Sequence, residues 1–177
     1  MFSIKVDEKI ELHLLQMSDA EDFFRLIEIN RRYLQPFMPR ISETQSIVEA
    51  KEVINLFNTQ YTNNNGFRAG IYFESQLIGI AGFKGIDWRN RKTEIMYWID
   101  GLYSGKGIVT SCVLKLVSFA FEVLDLNKVI VKSSVNNLAS NRVAVKCGFV
   151  HEATLKQEEL LDSGFSDINV YYITKKL

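Results

Sequence analysis

Apolar residues recur along this 177-residue chain in two rhythms, and the switches between them mark out the elements. Residues 10–15 alternate weakly and predict a first strand. Ser18 with Glu21 three residues later is a capping-box signature. It predicts a helix to about Arg32, with Phe23, Leu26, Ile27 and Asn30 along one side. Pro36 and Pro39 then break regular structure and predict a loop. Ser46 and Glu49 repeat the capping pattern ahead of a helix to about Tyr61, and Asn63-Asn64-Asn65-Gly66 reads as a turn. Residues 67–73, 76–83 and 93–99 predict three strands of an antiparallel meander, turning at Glu74-Ser75 and over residues 85–91. After Ile108, apolar residues fall at Val109, Cys112, Val113, Leu116, Val117, Ala120 and Leu124, which is the spacing of one helix face. Residues 128–133 predict a buried strand. A helix from Asn137 stops at Gly148, a natural C′ residue, and Phe149 starts the next strand. The order β-α-α-β-β-β-α-β-α-β-β predicts an α/β fold, a mixed sheet with helices on both faces. The length fits one domain over residues 1–177.

The stretch Tyr97-Trp98-Ile99-Asp100-Gly101-Leu102-Tyr103-Ser104-Gly105-Lys106-Gly107-Ile108-Val109 carries candidate chemistry. A strand stops, a short loop carries the glycines, and a helix starts at once. The first N–H groups of a helix have no intrahelical partner. With the positive end of the helix dipole, they suit an anion such as phosphate. Gly105 and Gly107 lack Cβ, so a phosphate can approach the backbone closely. A P-loop is rejected, because it needs a glycine where Asp100 stands and a hydroxyl after the lysine. A dinucleotide fingerprint is weak, because Val109 and Thr110 supply no third glycine. What remains is a site over residues 105–110 for a pyrophosphate that need not carry a reactive γ-phosphate, or a plain turn and helix cap.

Composition narrows the field. Lys+Arg and Asp+Glu both number 21, so charge gives no argument for nucleic acid or an anionic membrane. There is no run of about 18 apolar residues to predict a membrane span. Residues 1–8 show no basic region followed by an apolar core, so a cytoplasmic location is expected. Cys112 and Cys147 fall on separate expected helices and read as reduced, buried thiols. His13 and His151 lack ligand-spaced neighbours, so no metal is expected.

The loop resembles the acetyl-CoA pyrophosphate loop of the GCN5-related N-acetyltransferase (GNAT) superfamily. It is most similar to the RimL/RimJ-type branch that acetylates ribosomal-protein N-termini. Ser104 stands where that branch usually has Gln, and Val109 where the superfamily often has Gly or Ala. A second motif, Asn137-Leu138-Ala139-Ser140-Asn141 through Lys146-Cys147-Gly148-Phe149, looks like the family's Asn-x-x-Ser helix ending in Lys-x-Gly-Phe. Leu155 through Gly164 resembles its final hairpin, and Asp167 and Tyr171 match its last strand. Tyr33-Leu34-Gln35-Pro36-Phe37-Met38-Pro39 resembles the branch's Leu-x-Pro-Trp-x-Pro, with Phe37 for Trp.

The resemblance implies the acyl-CoA N-acyltransferase fold, whose mostly antiparallel mixed sheet splays between its fourth and fifth strands. It implies acetyl-CoA as cosubstrate and an amine acceptor, foremost a protein N-terminus, and by analogy a homodimer. Cofactor-binding positions are then Tyr97, Trp98, Ile99, Ser104, Gly105, Lys106, Gly107, Ile108, Val109 and Thr110, with Asn137 and Asn141 at the CoA arm. Backbone N–H groups near Trp98 and Ile99 polarise the thioester oxygen. Glu159 is the candidate base, directly or through a water. Glu158 and Glu159 point to opposite faces of a strand, so at most one faces the cleft. Ser140 is the candidate donor to the departing sulfur, a role compatible with a helix-start cap. Two other functions stay open. One is acetylation of a small amine such as an aminoglycoside or polyamine. The other is a non-catalytic acyl-CoA-binding domain.

Overall fold

The computed structural model describes residues 2–175. Its strands are β1 (Ser3–Lys5), β2 (Ile10–His13), β3 (Phe67–Phe73), β4 (Gln76–Asp87), β5 (Lys92–Ile99), β6 (Lys128–Ser134), β7 (Val150–Leu161) and β8 (Gly164–Thr174). Its α-helices are α1 (Ala20–Leu34), α2 (Ile47–Thr62), α3 (Ile108–Glu122) and α4 (Leu138–Lys146). One eight-stranded sheet runs β1-β2-β3-β4-β5-β6-β8-β7.

Two expectations need correction. The first helix does not start on a Ser18/Glu21 box. A 3₁₀ turn over Met17–Asp19 places Ser18 inside it, and the Asp19 carboxylate accepts from the Gln16 N–H at 2.7 Å. The carboxylate three residues after Gln16 reaches an orphan donor one turn earlier. The second box forms as read, with Glu49 N donating to Ser46 Oγ at 3.2 Å. The other correction is an eighth strand, β1, which pairs antiparallel with β2. The splay expected between the fourth and fifth strands therefore falls between β5 and β6.

Strand pairing draws that splay. β5 stays paired with β4 as far as Ile99, and β6 with β8 as far as Ser134. Between them, only Lys92–Ile95 of β5 pairs with Lys128–Val131 of β6, in parallel. Beyond Ile95 the strands diverge, and Met96–Ile99 has no strand on that edge.

Each face of the sheet has its own core. Ile95, Ile99, Val129, Val131 and Tyr171 pack with α3 and Ala144 of α4. Trp98, Ile80 and Leu77 pack with Phe23, Leu26 and Ile27 of α1 and with Ala50, Ile54 and Phe57 of α2. The alternation of β5 thus sends Tyr97 to the α3/α4 side and Met96 and Trp98 to the α1/α2 side. No helix among the described residues is long and apolar enough to cross a membrane.

Candidate active site

The glycine loop follows β5 directly. Buried Asp100 accepts from Leu102 N at 2.9 Å and caps a 3₁₀ turn at Gly101–Tyr103. Gly105 and Gly107 hold φ of +76° and +82°, a region side chains rarely adopt, and a Cβ on either would meet nothing within 4 Å. Gly107 is the N-cap of α3, and no side chain among the described residues caps that helix. Ser111 N is the first to bond back, to Gly107 O at 3.0 Å. The N–H groups preceding it have no intrahelical partner and stand at the positive end of a 15-residue helix. That is the geometry of an anion cradle, and it fits a pyrophosphate.

Helix α1 steadies the loop. Asn30, 3% exposed, accepts from Gly101 N at 2.9 Å and donates to Leu26 O at 3.0 Å. Tyr33 Oη donates to Ser104 Oγ at 3.4 Å. The sequence hinted at Asn30 by setting an amide in an apolar stripe. Lys106 Nζ lies 4.9 Å from the Tyr103 ring centroid.

On the α3/α4 side of the splay stand Ser140 and Tyr97. Asn137 caps α4, its Oδ1 accepting from Ser140 N at 3.2 Å. The Ser140 hydroxyl lies 3.0 Å from the Tyr97 hydroxyl, which also sits 3.2 Å from the Ser140 carbonyl. Burial pushes the Tyr97 phenol up to about 12, so it stays protonated and serves as a hydrogen-bond donor. The sequence marks Tyr97 as a cofactor-binding position; the pairing of its hydroxyl with Ser140 is visible only in the structure. Asn141 is engaged at both ends within the protein. Its Nδ2 donates to Ser134 O (2.8 Å) and Asn137 O (2.7 Å), and its Oδ1 accepts from Asn169 Nδ2 (2.9 Å) and Tyr171 Oη (2.8 Å). One side chain thereby ties α4 to β6 and β8.

The β7–β8 hairpin brings in Glu159. Between Leu155 and Glu159 the register slips against β8, and Gln157 takes φ +49°. Asp167 accepts there from Lys156 Nζ (2.7 Å) and Gln157 N (2.9 Å). These bonds hold its carboxyl below the usual range. The hairpin end reaches α1's C-terminal end, where Gln35 donates to Asp162 at 2.7 Å. Glu159 pairs with Ser166, so the two side chains share a face. Ser166 Oγ lies 2.8 Å from Ser134 Oγ, both buried. The adjoining positions Asn169 and Tyr171 face α4 instead. Glu159 is therefore exposed on the α1/α2 side of the sheet and Glu158 on the other. Ser140 and Glu159 stand on opposite sides of the sheet.

Cys112 and Cys147 are buried free thiols, and burial pushes them up to about 12 and about 11. Cys147 Sγ lies 3.6 Å from Thr110 O. Among the described residues, no group of three or more His, Cys, Asp or Glu is arranged to hold a metal.

Comparisons with known proteins bear on the chain as a whole. The family described as "Acetyltransferase (GNAT) domain" matches residues 9–150. YdaF of Bacillus subtilis, provisionally named a ribosomal N-acetyltransferase, is 33% identical over 177 residues, 99% of this chain and 97% of its own. The ribosomal-protein-serine acetyltransferase of Escherichia coli is 30% identical over 169 residues, 96% of this chain and 94% of that one. Among solved structures, the microcin C7 self-immunity acetyltransferase MccE, in complex with acetyl-CoA and AMP, superposes with a TM-score of 0.94 at 27% identity. It covers 97% of this chain and 96% of its own.

Proposed function

The chain belongs to the GNAT acetyltransferase family, and on that premise we propose that it transfers the acetyl group of acetyl-CoA to the N-terminal α-amine of a protein, a ribosomal protein foremost. The observation that carries this reading is the Ser140–Tyr97 pair at the splay on one side of the sheet, with Glu159 of the outer strand β7 on the other side. An acyl transfer of this kind needs an amine approaching the thioester carbonyl from one side and a sulfur protonated as it leaves.

Glu159 takes the proton that the attacking nitrogen must lose, directly or through one water. An α-amine titrates near 8 and a lysine amine near 10.4, so a single carboxylate suffices for an N-terminus at neutral pH. Ser140 donates a hydrogen bond to the departing sulfur and keeps its own proton, the thiolate being protonated from solvent. Tyr97, with a raised pKa, is a poor proton source and a good donor. Its hydrogen bond to Ser140 Oγ leaves the serine proton free to point at sulfur. Backbone N–H groups of the unpaired edge of β5 polarise the thioester oxygen. The α3 cradle holds the pyrophosphate, and acetyl-CoA supplies the activated acetyl group. Asn137, which caps α4 beneath Ser140, is the proposed contact for the CoA arm.

The relatives' names support a ribosomal protein as acceptor. The sequence has no strong acidic cluster beyond Glu158, Glu159 and Asp162, and Glu158 and Glu159 face opposite sides of the sheet, which argues against a polycationic acceptor. The test is release of free CoA across a panel of N-terminal peptides, lysine-only peptides with blocked N-termini, and small amines. Turnover confined to free N-termini is expected. Turnover confined to small amines would overturn the acceptor class, and CoA binding without turnover would overturn catalysis.

A further inference from the structure

On the α1/α2 side of the sheet lies a cation that the chemistry above does not use. Arg68 of β3 pairs with Gly82 of β4, and Gly82 with Met96 of β5. Arg68, Gly82 and Met96 therefore form one row across the sheet on one face. Met96 is the first β5 residue past the pairing with β6, where the splay opens. Two strand spacings, about 10 Å, separate Arg68 from that point, within reach of an arginine side chain and a short peptide between them. Gly82 puts no side chain in the way.

Arg68 is only partly exposed, and it makes no ion pair or side-chain hydrogen bond among the described residues. Its Nε is buried without a partner. Its guanidinium lies 5.2 Å from the Phe57 ring centroid, one face against an aromatic. Desolvation, and then the Arg40 guanidinium, hold its pKa below the ordinary arginine value. Arg40 itself is largely exposed and reaches Glu43 at 3.3 Å. A half-buried guanidinium beside a second cation, with no carboxylate paired to it among the described residues, is costly in the free protein. It is pre-organised for a carboxylate arriving from outside, because its planar fork binds that group through two parallel bonds.

We propose that Arg68 is a specificity contact for the acceptor, binding the carboxylate of an Asp or Glu within the first few residues after the acetylated amine. This rests on the N-terminal reading above. Acetylation should therefore favour acidic N-terminal segments.

The test pairs peptides that differ only in Glu against Gln at the second, third or fourth position. The intact protein should prefer one Glu peptide over its Gln partner in kcat/KM by roughly ten- to a hundredfold, the worth of a charge-assisted hydrogen bond. Arg68→Met keeps the aliphatic stem on Phe57 and should abolish the preference, with CoA affinity and Tm undiminished. Arg68→Lys should restore part of it. Should Arg68→Met fail to fold, the intact protein still decides, because equal kcat/KM for every peptide pair overturns the proposal. A preference that persists in a folded Arg68→Met also overturns it, with N-terminal acetylation left standing. If no peptide is turned over while small amines are, the acceptor reading fails and this proposal with it.

Discussion

Gly107 offers a clean separation of binding from folding. Its φ is +82°, and a Cβ there meets nothing of the protein within 4 Å. Gly107→Val therefore has two costs that can be measured apart. The first is backbone strain, about 1–3 kcal/mol for a side chain held in that region. At about 2–4 °C per kcal/mol for a chain of this size, Tm should fall by about 2–12 °C. The second cost appears only with ligand. The valine side chain adds bulk beside the N–H groups at the start of α3, and on the proposed reading it should push the pyrophosphate off those donors. Losing even one charge-assisted hydrogen bond costs about 1.5–3 kcal/mol, or roughly ten- to a hundredfold in affinity. Gly164 is the control. Its φ is +105° with equally open surroundings, but it sits at the start of β8 in the hairpin turn. Gly164→Val should lose at least as much Tm and keep its CoA affinity. Calorimetric titration with CoA and thermal scans of both variants make the comparison. If folded Gly107→Val binds CoA as the parent does, or both variants weaken equally, the cradle is misassigned.

Three further outcomes are expected. Glu159→Gln should slow turnover on a free N-terminus by about 10²–10⁴-fold at neutral pH. That deficit should narrow as pH rises past the amine's pKa near 8, and a pH-independent deficit would point to a positioning role instead. Tyr97→Phe and Ser140→Ala should both lower kcat with little change in KM for acetyl-CoA, and their effects should not add, because both break one hydroxyl pair; full additivity would separate the two groups. Finally, Cys112 and Cys147 should resist alkylation at pH 8 until the protein is unfolded, and rapid native labelling would refute their burial. Because their folded pKa values are raised to about 12 and about 11, the unfolded chain loses these protons first. Their stabilising contribution is complete below the ordinary thiol pKa and is lost as pH rises towards 11. Together they should cost about 3 kcal/mol of stability by pH 10, read from denaturation midpoints.

What the sequence discloses and what it hides follow from range. The helix faces, the meander and the glycine loop are local patterns, and the side chains that declare them lie within a few residues of one another. Ser3–Lys5 escapes notice because three residues with one buried Ile4 carry no period. The Gln16–Asp19 start escapes because Ser18 and Glu21 offer an equally good spacing, and only the 3₁₀ turn decides between them. The site's cross-links join residues far apart in sequence. Tyr97 meets Ser140 across 43 positions, and Gln35 meets Asp162 across 127. The face of Glu159 depends on a bulge whose positive φ falls on Gln157, a residue with no turn signature. Arg68 reads as an ordinary polar strand position until its neighbours are known.

The diverging edge of β5 also has a thermodynamic meaning. Over Met96–Ile99 the sheet is one strand short. Folding leaves part of its hydrogen-bonding capacity unclaimed in mid-sheet, where a neighbouring strand would ordinarily collect it. A cosubstrate with amides along its arm can collect it instead, so binding and the last step of sheet formation become one event. Under such linkage, saturating acetyl-CoA stabilises the fold by RT ln(1 + [L]/Kd). On the proposed reading the protein is most complete as a folded object only while it is loaded, and each release of CoA would reopen the gap for the next molecule.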